Sequence, residues 1–384
     1  MTTGANSGRR VVIIGGGIAG LAAALCFART GAEVQVFEQA EELREVGAGL
    51  QITPNGGAVL AALGLGAIAD HRSISAAALV PTDAMTGEAI GRFDLTRLPG
   101  QPYRFFHRAD LLDLLAEGCE RARVKITLNA KAIEVGETSV RFSNGETAKG
   151  DLIVGADGLH SVVRPILNGE DKPFFTGQVA WRSVVKVSSQ PDVRVWMGEG
   201  KHVVTYPLVG GRLNVVAVQE RKEWAAEGWN FFDEPTILRE IFGDCHQSLL
   251  DIFDQAQTVR RWGLFRHPVA KVWHDQSRAI LGDAAHPTLP FMAQGANLAL
   301  EDAYVMARCL DDDPSVHFGL KAYQEARRSR VNRAIEAANR NAVNYHLTGI
   351  KRRVAHAGLR TMAQLTPSLF LGRYDWLYNY DVTA

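Results

Sequence analysis

The chain has 384 residues, enough for two domains or for one domain with a large insertion. Lys plus Arg and Asp plus Glu each number 42, and the zero net charge argues against nucleic acid, which needs a basic patch, and against electrostatic membrane binding. Cys26, Cys119, Cys245 and Cys309 are scattered without a C-x-x-C, and no apolar run nears the ~20 residues of a membrane span, so a soluble cytoplasmic protein without disulfides or a metal site is expected.

Met1 to Arg10 is polar and is expected to be disordered. Val11 to Ile14 is apolar and β-branched, as in a strand buried on both faces, and the next six residues fit G-x-G-x-x-G, with Gly15, Gly17 and Gly20 at the fixed places and Ile18 and Ala19 between them. In such a turn Gly15 allows the sharp reversal, Gly17 lets a pyrophosphate reach the backbone, and Gly20 lets the helix sit close on the strand. The free N–H groups and the dipole of the helix favour the diphosphate. That helix runs to Thr30 and stops at Gly31, and a second strand, Glu33 to Phe37, ends at Glu38. A carboxylate about 20 residues past the glycines takes the ribose hydroxyls and repels a 2′-phosphate. An ADP-bearing cofactor is therefore expected, with FAD and NAD(H) both compatible.

A glycine-bearing loop from Leu43 to Asn55, containing Arg44, leads to a short helix at 57–64. Residues 78–98 read as a hairpin, Arg108 to Glu120 as a helix, and 124–150 as strands around the turn Ser143-Asn144-Gly145. Buried strands end at Asp157-Gly158 and at Gly282-Asp283, while 177–220 reads as antiparallel β structure with one open face. Residues 231–256 look helical, Gln294 to Asn297 opens a helix through Leu310, and a basic helix covers about 318–346. Its arginines, Arg327, Arg328, Arg330 and Arg333, are expected on a solvated face.

Lys201 to Pro207 reads as one strand, so His202, Val204 and Tyr206 share a face spanning ~13 Å. Facing a pocket, imidazole and phenol suit a phenolic substrate, and a neutral imidazole can accept its proton. A structural histidine beside a packing tyrosine stays open as the other reading. Arg182 is expected to be paired internally, with a substrate carboxylate as the alternative.

The order Gly15-x-Gly17-x-x-Gly20, Asp157-Gly158, Gly282-Asp283 resembles the single-component FAD-dependent aromatic hydroxylases, from Val11 to about Tyr380. Gly47-Ala48-Gly49 with Pro54-Asn55, Ala293-Gln294-Gly295-Ala296 and the ending Asp375 to Asp381 are most similar to salicylate, 3-hydroxybenzoate and 6-hydroxynicotinate hydroxylases. The resemblance implies an α/β fold. A Rossmann-like FAD-binding domain of glutathione-reductase type would come from 11–76, 103–172 and 276–350. An inserted, mainly antiparallel β-sheet substrate domain would come from 77–102 and 173–275, with C-terminal helices and an aromatic tail over 351–384.

The resemblance also implies roles. FAD would be held by Gly15, Gly17, Ile18, Ala19, Gly20, Glu38, Arg44, Arg108, Asp157, Asp283, Pro290, Gly295 and Ala296, with backbone N–H groups of Asn297 and Leu298 at the flavin pyrimidine edge. His202, Tyr206 and Gln294 would serve catalysis, and Phe291, where some relatives carry a second histidine, would leave one fewer polar contact to substrate. The implied reaction consumes NAD(P)H and dioxygen, forms a flavin C4a-hydroperoxide and hydroxylates a small phenolic acid in a monomer or homodimer. A flavin oxidase or dehydrogenase without oxygen insertion is the alternative.

Overall fold

The computed structural model describes residues 4–43, 48–222 and 231–384. Among these, five strands lie in the order Arg278–Ile280, Leu152–Gly155, Arg10–Ile14, Glu33–Phe37 and Lys125–Thr127, and every pairing is parallel. Val11 to Ile14 are buried, in a core shared with the helices Ile18–Arg29 and Gly295–Asp312. Parallel strands put their carboxyl ends at one edge. Glu38, Asp157 and Asp283, each just past a strand, therefore arrive together, which is where ligands bind in open α/β sheets.

A second sheet draws on 78–94 and 174–266. Its described strands run in the order Phe231–Asp233, Val259–Arg266, Phe174–Val185, Arg212–Glu220, Lys201–Leu208, Asp192–Gly198, Ala78–Asp83 and Phe93–Asp94. Neighbours are antiparallel except Ala78–Asp83 with Asp192–Gly198. Side chains alternate between its two faces. Trp181, Val203, Val215 and Ala217 point to a core closed by Leu238, Phe242, Leu249 and Phe253. The opposite parity, which includes Arg182, His202, Val204, Tyr206 and Val195, is left for the site.

Three expectations are corrected. Residues 231–256 are not one helical stretch: a strand at Phe231–Asp233 precedes two short helices, Thr236–Phe242 and Gln247–Phe253, broken where His246 caps the second by accepting the Ser248 N–H. The N-terminal segment is docked from residue 4, because Asn6 is buried and donates to the Ala307 carbonyl at 2.8 Å while Arg9 donates to that of Leu310 at 2.7 Å. Arg327 does not face solvent either. On the helix Val316–Tyr345 it is fully buried, 2.6 Å from Glu301 and 2.8 Å from Asp302.

The tail packs through its aromatics, with Trp376 stacked under Arg333 at 3.9 Å and Tyr380 under Arg330 at 3.8 Å. No described helix is long and apolar enough to cross a membrane.

Candidate active site

At the carboxyl edge of the parallel sheet a cavity of about 460 Å³ opens, walled by Gly15, Gly17, Ile18, Ala19, Glu38, Arg108, Asp157, Asp283, Pro290, Gln294, Gly295 and Ala296. Gly15 has φ +104°, and a Cβ there would lie 2.5 Å from the Ala156 carbonyl oxygen. Gly20 is off the wall; its Cβ would come within 1.9 Å of the Gly15 carbonyl oxygen, so it is small for helix–strand packing. A Cβ on Gly17 would meet nothing within 4 Å, which is the cradle a bulky group needs.

Glu38 accepts from the Gly16 N–H at 2.6 Å and the Ala40 N–H at 2.9 Å. The Arg108 guanidinium is pushed down to about 10 by burial and by the like charge of Arg182, against Asp283. Burial pushes the carboxyls of Asp157 and Asp283 up. Asp157 accepts from the Val162 N–H at 2.7 Å through Oδ2, while its buried Oδ1 has no partner among the described residues. A buried carboxylate oxygen short of a donor, the Arg108 guanidinium and an open glycine cradle together fit FAD, whose hydroxyls can donate to the carboxylate and whose diphosphate can accept from the cation and the backbone N–H groups.

Not every expected ligand is placed on this wall. Arg44 lies outside the described residues. Leu298 is spent as a donor, since its N–H goes to the Gln294 carbonyl at 2.8 Å, the first intrahelical bond. The Asn297 side chain is turned to the protein, where it accepts from the Thr53 N–H and donates to the carbonyls of Gln51 and Ala293. Gln294 lines the cavity, with its amide engaged by the protein. It donates to Thr53 Oγ1 and the Met292 carbonyl and accepts from Asn55, so its amide anchors the helix start.

Beyond the flavin cavity lies a second one of about 430 Å³, sharing Gln51, Val204, Pro290 and Ala293 with it. Its sheet wall is apolar: Leu79, Pro81, Val193, Val195 and Met197. His202 stands in the register row between these halves, opposite Met197 on one side and Val218 on the other. Its ring is 2 % exposed, 5.5 Å from Phe291 and 5.2 Å from Tyr345, and burial pushes its pKa well below the ordinary imidazole value. His202 Nδ1 lies 2.7 Å from His346 Nε2. Phe291 therefore packs on the imidazole as well as lining the apolar cavity.

Tyr206 lines the flavin cavity and stacks on Phe105 at 5.1 Å, with its phenol pushed up by burial. Arg182 has no carboxylate partner among the described residues; it stacks on Trp262 at 4.3 Å, and its Nε is unsatisfied. The internal ion pair expected for it is replaced by this stacking. His346 was no more than the last residue of a basic helix in the sequence, and nothing local marks it.

Behind the site a charged cluster holds the helix Gly295–Asp312. Glu301 accepts from Asn55 at 2.6 Å and from Arg330 at 2.7 Å, and Asp302 accepts from the Gly282 N–H at 3.1 Å and lies 2.5 Å from His286 Nε2. Burial alone would raise Asp302, but His286 and Arg327 prevail and hold it at about 2. The cluster ties the Gly-Asp turn, the residues around Asn55 and the long helix to the second turn of the helix Gly295–Asp312.

A family model described as an FAD binding domain matches residues 9–338. The chain is 32% identical to 3-amino-4-hydroxybenzoate 2-monooxygenase PtmB3 of Streptomyces platensis, covering 99% of this chain and 98% of the relative. It is 33% identical to the 3-hydroxybenzoate 6-hydroxylase of Polaromonas naphthalenivorans, over 97% and 96%. Its fold superposes on a salicylate hydroxylase substrate complex with TM-score 0.81 at 25% identity, over 98% and 96% of the chains. It also superposes on an FAD complex of a single-substitution variant of Klebsiella pneumoniae HpxO with TM-score 0.84 at 24% identity, over 96% and 98%. With relatives of this kind aligned end to end, and a nucleotide cradle that fits FAD, the chain belongs to the FAD-dependent aromatic-ring monooxygenases.

Proposed function

We propose that this protein uses NAD(P)H and dioxygen to hydroxylate a small phenolic carboxylic acid, with His202 as the base that takes the phenol proton. The observation that carries the reading is the position of His202: a buried imidazole, kept neutral by desolvation, on the wall of the FAD cavity and packed on Phe291 and Tyr345 at its seam with an apolar one. Bound FAD supplies the redox chemistry, accepting reducing equivalents and activating dioxygen.

The chain's own residues do the rest. The apolar half dries and orients the ring, and proton removal by His202 pushes electron density into it, which favours attack on an electrophilic oxygen. Arg182, half-buried and without an anion partner among the described residues, is placed to receive the substrate carboxylate. Tyr206 shares the face of His202 and borders the same cavity. Glu38 holds the adenosine ribose, Arg108 and Asp283 the diphosphate and ribityl region, and the N–H groups of Gly295 and Ala296 the flavin edge. A glutathione-reductase-type FAD domain with an inserted substrate sheet is the arrangement in which these roles coexist.

Relatives named as monooxygenases and hydroxylases favour this reading over a flavin oxidase. The test is NAD(P)H consumption stimulated across a panel of hydroxybenzoates and hydroxypyridine acids, with product mass. Hydroxylated product stoichiometric with NAD(P)H is expected; hydrogen peroxide alone across the panel overturns oxygen insertion.

A further inference from the structure

Three side chains from three elements form a continuous file. His202 is on the strand Lys201–Leu208, Glu220 ends the adjacent strand Arg212–Glu220, and His346 caps the long helix. His202 pairs in register with Val218, so Glu220 lies two residues further along the same face, and the helix end drops His346 between them. His202 Nδ1 is 2.7 Å from His346 Nε2, and His346 Nδ1 is 2.8 Å from Glu220 Oε1. The His346 side chain is 2% exposed and that of Glu220 56%, so the file starts at the cavity and ends in solvent.

The hydrogen-bond chemistry gives the file a direction. A carboxylate only accepts, so His346 carries its proton on Nδ1. A neutral imidazole has one N–H, which leaves His346 Nε2 as an acceptor. His202 Nδ1 must then donate to it, and His202 Nε2 keeps a bare lone pair. Burial holds both rings below the ordinary imidazole value, opposed at His346 by Glu220, in keeping with two neutral rings.

We propose that His346 and Glu220 are a proton relay that carries the substrate's phenolic proton from His202 to solvent, with Glu220 selecting the tautomer of both rings. The phenol O–H breaks as His202 Nε2–H forms. His202 Nδ1–H breaks as His346 Nε2–H forms, and His346 Nδ1–H breaks as a Glu220 O–H forms. Glu220 then gives the proton to water, and the reverse sequence reprotonates the product and resets both rings. His346 and Glu220 touch neither flavin nor ring and act through His202, so the relay rests on the reading of His202 as the base.

The test uses the FAD-loaded protein without reductant. With histidine ¹⁵N labelling, both rings are expected as single Nδ1–H tautomers, and Glu220→Leu is expected to release that selection. A wild-type spectrum showing either ring as Nε2–H overturns the tautomer assignment whether or not a substrate is known. In stopped flow with 3-hydroxybenzoate, phenolate absorbance is expected to appear about tenfold or more slowly in His346→Phe, with flavin content unchanged. Added imidazole is expected to restore the rate in His346→Gly, which a packing role would not allow. If His202→Ala blocks phenolate formation while His346→Phe and Glu220→Leu do not slow it, the relay falls and the base stands; if His202→Ala forms phenolate at the wild-type rate, the base itself falls.

Discussion

One sheet face carries two opposite surfaces. On its flavin side Arg182 and Trp262 join Arg108, Asp157 and Asp283 around a cavity rich in charge; on the other side Val193, Val195, Met197, Leu79 and Pro81 make an apolar wall. The apolar half holds the parallel pair, Ala78–Asp83 with Asp192–Gly198, and the flavin half is antiparallel, yet side chains alternate between the two faces in both. What separates the two walls is polarity: the charged side offers partners to an anionic cofactor, and the apolar side offers water few partners. His202 lines the flavin cavity, and its ring packs on Phe291 and Tyr345, which line the other one. In the proposed reaction a base at this seam would meet the phenol through Nε2, while its Nδ1 lies 2.7 Å from His346 Nε2.

The difference can be attacked from its foundations outward. Arg327→Met removes the cation shared by buried Glu301 and Asp302, leaving them Arg330 and His286, and should cost about 3–5 kcal/mol in denaturant unfolding. A loss under about 1 kcal/mol would mean the charged cluster does not hold the helix that starts at Gly295. His202→Ala should lower hydroxylation ~10²-fold or more with FAD still bound, and unchanged turnover would remove the seam from the chemistry.

Acid tests the same cluster through Asp302, held at about 2 in the fold against an ordinary 3.8. A carboxyl lowered by folding stabilises above its unfolded value, so this contribution is whole above about pH 4 and drains away as pH falls toward 2. On the order of 2 kcal/mol is at stake, and a urea midpoint that does not move between pH 5 and 2 would contradict it.

Arg182→Met should raise KM for 3-hydroxybenzoate about tenfold while sparing phenol, which has no carboxylate. An equal loss for both would assign Arg182 to the flavin. The smallest effect on stability is expected at Gly17. Its Cβ has open space, so Gly17→Ala should change unfolding by less than about 0.5 kcal/mol yet weaken flavin retention, read as the 450 nm absorbance of the purified protein. Gly20→Ala, forced against the Gly15 carbonyl, should instead destabilise by about 1–3 kcal/mol.

Legibility followed range along the chain. The strand Val11 to Ile14, the turn at Gly15 and the carboxylate of Glu38 were readable because each is a local pattern with a local cause. The shared face of His202 and Tyr206 followed from alternation on one strand. Helix boundaries near 231–256 were misread, since one short strand and two short helices leave no sustained period. Arg327 was misread for a different cause: a basic residue on a basic helix looks solvated until two carboxylates from another helix meet it.

Residue order thus settled the cradle, the acid at each strand end and the strand bearing the imidazole, because neighbours a few positions apart are held by backbone geometry. Folding in three dimensions decided the partners. Gln294 was taken up by Thr53 and Asn55, Arg182 was stacked on Trp262, and His346 arrived 144 positions downstream to meet His202. Such pairs depend on how sheets and helices pack, and burial then turns each meeting into a lasting charge state or a fixed hydrogen bond.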